Sequence, residues 1–369
     1  MKKFIFSFLL LSSLCFGKVP QRAVSAAHFS TEILLSIGAE KQMVGTAYPD
    51  NAILPSLKEK YDKIPILSMK NPTKEQFYAV KPDFLTGWDS TVLDKNLGPI
   101  KELEKNGVQV YIMKSLHSSD INLVFEDILT YGKIFNLEDN AKKVVNKMKA
   151  DLAAVQKQLP KNKVKVFTYD SGDKAPFVVG GDSIGNTIIT LAGGDNIFKD
   201  IKKAWANGNW EKVLVENPDI IVIVDYGDQT AESKIKFLKE KSPIKDLKAV
   251  KNNKFVVIEL ADITAGVRNV DAIKNGSIGT ITLLTISIIT LFSSLNMFSS
   301  VWDLVHIIAK PNNIDVTSAV ITENIGSIFN EKSISGNSLR PSTSLDILSP
   351  GISMYPIIID INAAPIDDK

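Results

Sequence analysis

The chain has 369 residues, enough for two lobes with a core each. Its 43 Lys and Arg against 41 Asp and Glu leave no basic field to hold nucleic acid. A hydrophobic fraction of 44% with 23% charged residues is that of a globular chain, which excludes a largely disordered one.

Met1 to Gly17 stands apart. Lys2 and Lys3 precede the apolar run Phe4 to Leu14, and Cys15-Phe16-Gly17 places small residues where a signal peptidase reads. The run falls short of the roughly 20 residues of a spanning helix, so it reads as a secretory signal cleaved after Gly17. Leu14 stands where a lipoprotein site needs a small residue, which favours a soluble exported protein over a lipid-anchored one. Cleavage removes Lys2, Lys3 and the only cysteine. The exported chain from Lys18 then carries 41 basic and 41 acidic residues, a net charge of 0, and cannot form an internal disulfide.

From Arg22 onward short apolar runs alternate with helical stretches. Ala23-Val24-Ser25 predicts a strand, Ser30 to Ile37 a helix stopped by Gly38, and Met43 to Thr46 a second strand. The pattern continues through strand Phe84 to Thr86, a helix near Leu97 to Lys105 ended by Asn106-Gly107, strand Val108 to Met113, and helix Asp120 to Phe135. Leu137 to Gln158 then carries Leu137, Ala141, Val144, Val145, Met148, Leu152 and Val155 at steps of three and four, one buried face of a long helix. Asn136 is expected as its N-cap, and Pro160 stops it.

Beyond Pro160 the alternation restarts: strand Val164 to Tyr169, helix Asn186 to Ala192, strand Ile220 to Val224, helix Ala231 to Lys241, strand Phe255 to Ile258. The halves share a detail. Glu75 lies seven residues before Pro82-Asp83 and a central strand, and Glu211 lies seven residues before Pro218-Asp219 and another. Alternation of this kind implies parallel strands with helical crossovers. The expected fold class is α/β: two Rossmann-like lobes, 18–136 and 160–274, joined by a single backbone helix at 137–159, with a ligand cleft lined by strand ends. From 275 to 369 the chain is rich in Ile and Ser, and Asn275 to Trp302 has no charged residue. This tail reads as a membrane anchor, a packed apolar helix or an altered terminus, the anchor being disfavoured by its many Ser and Thr.

Few residues invite chemistry. Gly181-Asp182-Ser183-Ile184-Gly185 fits the G-x-S-x-G nucleophile elbow, which would make a serine hydrolase, but the only later histidine is His306 in the tail. The competing reading makes Ser183 the cap of the following helix. His28, His117 and His306 are too scattered for protein-only metal coordination, so no resident metal or other cofactor is expected. A metal held inside an organic chelate brings its own ligands. Tyr48, Trp88, Tyr169, Phe177, Trp205 and Tyr226 follow predicted strands and would suit a large, flat, partly apolar ligand, with Arg268 available for a carboxylate or phosphate and His28 able to face the cleft.

Val24 to Ala39, whose Ser25 is a further candidate for contact with the ligand, resembles the opening of periplasmic solute-binding proteins for cobalamin and ferric siderophores, the helical-backbone class that feeds ABC importers. Lys81-Pro82-Asp83, Leu191 to Phe198 and Glu216 to Ile220 are similar to further blocks of that family, in matching order. The resemblance runs from about Arg22 to Ile273. It implies a two-lobed, monomeric, non-enzymatic protein of the periplasm that holds a metal chelate or corrinoid between its lobes. Family cleft positions fall on Tyr48, Trp88, Tyr169, Phe177, Trp205 and Arg268. Acids that dock on arginines of the membrane permease dimer, which works with its ATPase, fall on Glu75 and Glu211. Two departures stand out: the family's proline near Ala27 is missing, and the tail replaces the last helix of the second lobe.

Overall fold

The structure, a computed structural model, describes residues 18–157, 163–227 and 229–274. The signal sequence and the tail lie outside the described residues.

The first half runs β1 (Ala23–Ala26), α1 (His28–Ile37), β2 (Met43–Ala47), α2 (Lys58–Tyr61), β3 (Ile66–Ser68), α3 (Lys74–Ala79), β4 (Phe84–Gly87), α4 (Ile100–Lys105), β5 (Gln109–Val110) and α5 (Ile121–Phe135). Its strands form one parallel sheet in the order β3-β2-β1-β4-β5. The central strands are buried on both faces, which is why they read as unbroken apolar runs.

The linking helix α6 (Glu138–Gln156) has 19 residues and is about 28 Å long. Ala141, Val145, Met148, Leu152 and Val155 form its buried stripe, as the spacing predicts. Asn136 does not cap it. With φ 56 and ψ 44, Asn136 is the left-handed C-cap of α5, and Leu137 opens α6 without a side-chain cap. An asparagine tolerates that conformation better than most residues, so the helix end took it rather than the helix start.

The second half runs β6 (Val164–Tyr169), β7 (Phe177–Val179), α7 (Ile184–Leu191), β8 (Gly194–Asn196), β9 (Trp205–Asn207), α8 (Trp210–Glu216), β10 (Ile220–Asp225), α9 (Ala231–Glu240), α10 (Lys248–Lys251), β11 (Phe255–Glu259) and α11 (Leu260–Ile263). Residues 269–274 are again helical. The main sheet is parallel in the order β11-β10-β6-β8, and β7 and β9 form a separate antiparallel pair. Matching β6 to β1, β8 to β2, β10 to β4 and β11 to β5 superimposes the strand orders of the two halves.

Strand parity sorts the second core. Phe167, Tyr169, Ile221 and Ile223 face one side with Trp210 and Leu238, while Val164, Val166, Ile220 and Val224 face the other with Ile189 and Ile263. The halves also share a core: Ile33, Leu34, Phe84 and Ile128 pack in one cluster with Val145 and Met148 of α6 and with Ile184, Ile188, Val270 and Ile273. That common cluster holds the lobes together on the side of the linking helix.

Candidate functional site

Parallel strands end together, and Tyr48, Trp88 and Tyr226 follow strands of the two parallel sheets, while Phe177 and Trp205 open the two strands of the separate antiparallel pair. Trp88 follows β4, half-buried, edge-on to Phe29 at 4.8 Å and 84°. Gly87 sets its approach: its φ is 152°, and a Cβ there would lie 2.7 Å from the Ala26 backbone. Tyr48 follows β2 in a left-handed conformation, φ 60°, with its N–H donated to Ser68 O at 3.2 Å. In the second half Phe177 and Trp205 stack across the β7–β9 pair, ring centroids 6.0 Å apart and planes within 14°. Tyr226 follows β10, half-buried, its hydroxyl donating to Asp170 at 3.0 Å. Trp205 also lines a cavity of about 400 Å³ with Asp182, Lys202, Lys203, Ala204 and, from the first lobe, His117. His117 is itself paired with Asp89 at 2.9 Å, beside Trp88.

Other expected residues sit elsewhere. Tyr169 is 2% exposed and lies in the second-lobe core, stacked on Phe237 at 6.1 Å and beside Trp210, because it shares the parity of Phe167. Ser25 is wholly buried under α1 among hydroxyls, 2.7 Å from Ser30 and 2.9 Å from Thr31. His28 is the first residue of α1, 3% exposed, rather than the end of a strand, because the helix begins two residues before Ser30.

Arg268 departs most from the expectation of a free cation. Its Nε and Nη2 clasp Glu32 in a bidentate pair at 2.7 Å each, Nη1 reaches Glu259 at 2.6 Å, and Nη2 also donates to Ala52 O at 2.6 Å. His28 Nε2 lies 3.2 Å away, and Asp262 3.5 Å. Glu32 Oε1 additionally accepts the Leu54 N–H at 2.8 Å. Burial alone would raise the Glu32 carboxyl, yet hydrogen bonds from Arg268 and His28 outweigh it and hold the group below its ordinary value. Burial would weaken the guanidinium, but bonding to Glu32 reverses the effect and pushes it up. Every guanidinium nitrogen is engaged, so Arg268 ties second-lobe residues to α1 and to the loop after β2.

That loop makes the other lobe-to-lobe contacts at this edge. Asn51 Nδ2 donates to Asp225 O at 3.0 Å, its Oδ1 accepts the Ala261 N–H at 3.0 Å, and Gly227 N–H donates to Asp50 O at 3.0 Å. At the opposite edge Thr187 donates its hydroxyl to Ser119 O. Carboxylates gather at the first of these edges, and burial pushes both Asp50 and Asp262 up to about 6. No sequence signal marked Asn51 or Glu32, since a helix read from Ser30 leaves His28 outside the turn that brings it to Glu32.

Ser183 is the N-cap of α7. It is 3% exposed, accepts the Asn186 N–H at 3.2 Å and donates to Gly180 O at 3.2 Å, so it presents no nucleophile. Its glycines serve packing: a Cβ on Gly181 would lie 1.9 Å from Lys199 O, and one on Gly180 2.1 Å from Lys203 O. The segment carrying Lys202 and Lys203 is thereby pressed onto the turn and bonded to it, Gly181 N–H to Ile201 O at 2.8 Å.

Glu75 and Glu211 occupy matching sites, each the second residue of a short helix that precedes a central strand. Thr73 caps α3 by accepting the Gln76 N–H, and Asn209 caps α8 by accepting the Lys212 N–H. Both glutamates are exposed, and neither has an ion-pair partner among the described residues. Among those residues no cluster of His, Cys, Asp or Glu is arranged to hold a metal ion, and no helix is long and apolar enough to cross a membrane.

Residues 24–260, which include nearly all of these strand ends, match the model of a family described as periplasmic binding protein. The chain belongs to the periplasmic binding protein family. A periplasmic binding protein from Veillonella parvula is 36% identical with a TM-score of 0.66, covering 71% of this chain and 91% of that one. The Fe3+-hydroxamate transport system protein of Saccharomonospora viridis shares the fold at 20% identity, with a TM-score of 0.60 and 71% and 93% coverage. A vitamin B12-binding protein of Yersinia pseudotuberculosis is 21% identical over 217 residues, 58% of this chain and 74% of that protein. As a periplasmic binding protein the chain thus carries the expected α/β architecture, and the family is one of binding proteins rather than enzymes.

Proposed function

We propose that this periplasmic binding protein is the substrate-capturing component of an ABC importer, taking a flat, partly apolar metal chelate or corrinoid between its lobes and delivering it to an inner-membrane permease. The observation that carries the reading is a set of half-buried rings from both lobes: Tyr48, Trp88 and Tyr226 just past strands of the two parallel sheets, and Phe177 and Trp205 stacked on the β7–β9 pair. Rings in that position supply dispersion and stacking area to a planar ligand while water covers them in its absence. The relatives point the same way, since they include proteins named for vitamin B12, Fe3+-hydroxamate and haem. Any metal arrives inside the ligand, and no resident cofactor is invoked. Arg268, Tyr169, Ser25 and His28 then act behind the site, fixing the lobes and the sheet ends. Export through a cleaved signal ending at Gly17 belongs to the same reading.

Native mass spectrometry of the protein purified from its own periplasm tests this. A retained metal chelate or corrinoid, weighed directly, is the expected result. Protein that is ligand-free and whose tryptophan fluorescence is unmoved by haemin, ferric hydroxamates and cyanocobalamin would overturn it.

A further inference from the structure

Helix α9 is amphipathic, and its buried face comprises Ala231, Lys234 and Leu238. A lysine on that face is out of place. Its side chain is 5% exposed, and it has no ion pair among the described residues. Burying an ammonium is costly, and an apolar side chain of the same length would fill the space without the cost. What the ammonium does touch is specific: it donates to Val224 O, the carbonyl two residues before Tyr226, and its Nζ lies 4.1 Å from the centroid of the Tyr226 ring. The carboxylates of Asp170 and Asp225 supply the nearby negative charge, Asp170 being hydrogen-bonded to Ser171 at 2.7 Å and Asp225 to the Ala231 N–H at 2.6 Å.

We propose that Lys234 is a positioning residue that fixes the Tyr226 ring at the cleft floor for stacking on the ligand. Two pins act on the ring, the ammonium against its face and the bond from its hydroxyl to Asp170 at 3.0 Å. With both in place Tyr226 has a single orientation before ligand arrives, and the ordering cost of binding falls. The inference rests on the reading that the strand-end rings form the ligand site.

Its test uses the whole protein labelled with 3-fluorotyrosine, the Tyr226 fluorine resonance being assigned by Tyr226→Phe, with haemin and cyanocobalamin as probes. Lys234→Met is expected to move the Tyr226 resonance toward that of solvent-averaged fluorotyrosine and to weaken the probe that binds by about tenfold. Thermal stability should stay level or rise, because a buried charge is gone. In a Tyr226→Ala background the same substitution should cost no further affinity. Lys234→Gln, which keeps a donor for Val224 O, should reproduce the resonance shift and serves if the methionine variant fails to fold. An unmoved resonance, or an affinity loss that persists without the Tyr226 ring, would overturn the proposal. If neither probe nor a ferric hydroxamate binds wild type, the functional reading fails, and the resonance alone decides whether Lys234 orients Tyr226.

Discussion

Asp83 and Asp219 make the same contact in the two halves of the molecule. Asp83 accepts the backbone N–H groups of Gln21 and Arg22 at 2.8 Å each, and Asp219 accepts that of Lys165 at 2.8 Å. In return Asp83 N–H donates to Arg22 O and Asp219 N–H to Lys165 O. Each aspartate follows a proline, and each proline follows a residue in the left-handed conformation, Lys81 at φ 46° and Asn217 at φ 45°. The Pro-Asp pair that recurs in the sequence therefore has one physical purpose: it stops the short helix and staples the start of β4 to that of β1, and the start of β10 to β6.

Removing these staples should destabilise the halves unequally. Asp83→Ala breaks two charge-assisted bonds to backbone and should cost about 2–3 kcal/mol, while Asp219→Ala breaks one and should cost about 1–2 kcal/mol. Urea titration followed by circular dichroism measures both. Equal losses would mean that the bonds contribute less than the turns they close.

The cleft rings should carry affinity without carrying the fold. Trp88→Ala or Trp205→Ala should each weaken chelate binding by about 1–3 kcal/mol, the range of aromatic hot spots. Trp205 has the second task of stacking on Phe177 at 6.0 Å, so its loss should also free that ring and broaden its NMR signals. Unchanged affinity in both variants would place the ligand elsewhere.

How legible was this in the sequence? The alternation of apolar runs fixed the α/β class and the stripe of α6, because burial on both faces of a parallel sheet leaves an unmistakable pattern. Short edge strands such as Ile66–Ser68 and Trp205–Asn207 were invisible, being half-exposed and held by neighbours rather than by composition. Tyr169 could have been assigned to the core from its parity with Phe167, whereas nothing local showed that Arg268 is already paired: its partner Glu32 lies 236 residues away. Distant ion pairs are decided by topology, which single-residue patterns do not contain.

The Arg268–Glu32 clasp should behave as a buried pair. Glu32→Ala leaves the guanidinium with the half-exposed carboxylates of Glu259 and Asp262 beside His28 and Ala52 O, and should cost about 3 kcal/mol. Replacing both residues with Met should recover most of that loss, since the desolvation of two charges disappears with their attraction. A double variant as unstable as Glu32→Ala would show that the Leu54 and Ala52 backbone bonds matter more than the ion pair. Glu32, held below its ordinary carboxyl value of 4.5, contributes stability present above that value and lost as pH falls through the lowered one.

Asp50 works in the opposite sense. Burial raises it from 3.8 to about 6, so between those values the folded protein holds its proton more tightly than the unfolded chain does. Stability from this group is present at low pH and is lost as pH rises through about 6. Asp50→Asn should therefore be more stable than wild type at pH 7, with the advantage gone near pH 4. Thermal melts across that range decide it, and a constant difference between the two proteins would exclude titration of Asp50 as the cause.

Under the proposed function, Glu75 and Glu211 are the residues with which to test delivery. Each is exposed at the second position of a short capped helix, each helix feeds the strand that pairs with the first strand of its lobe, and neither carboxylate has an ion-pair partner among the described residues. Surface carboxylates so placed contribute almost nothing to stability. If they meet arginines of a permease, the contact forms only on docking and reports that both lobes stand at the right separation. Substituting both with Ala should leave chelate affinity and thermal stability nearly unchanged while uptake through the reconstituted importer falls sharply. Lysine at both positions should be worse than alanine, because it adds repulsion to the lost attraction. Raised salt should weaken docking of the wild type and spare what remains in the alanine variant, as screening acts on exposed charge pairs. Normal uptake by the Glu75→Lys, Glu211→Lys protein would remove these two residues from the docking surface.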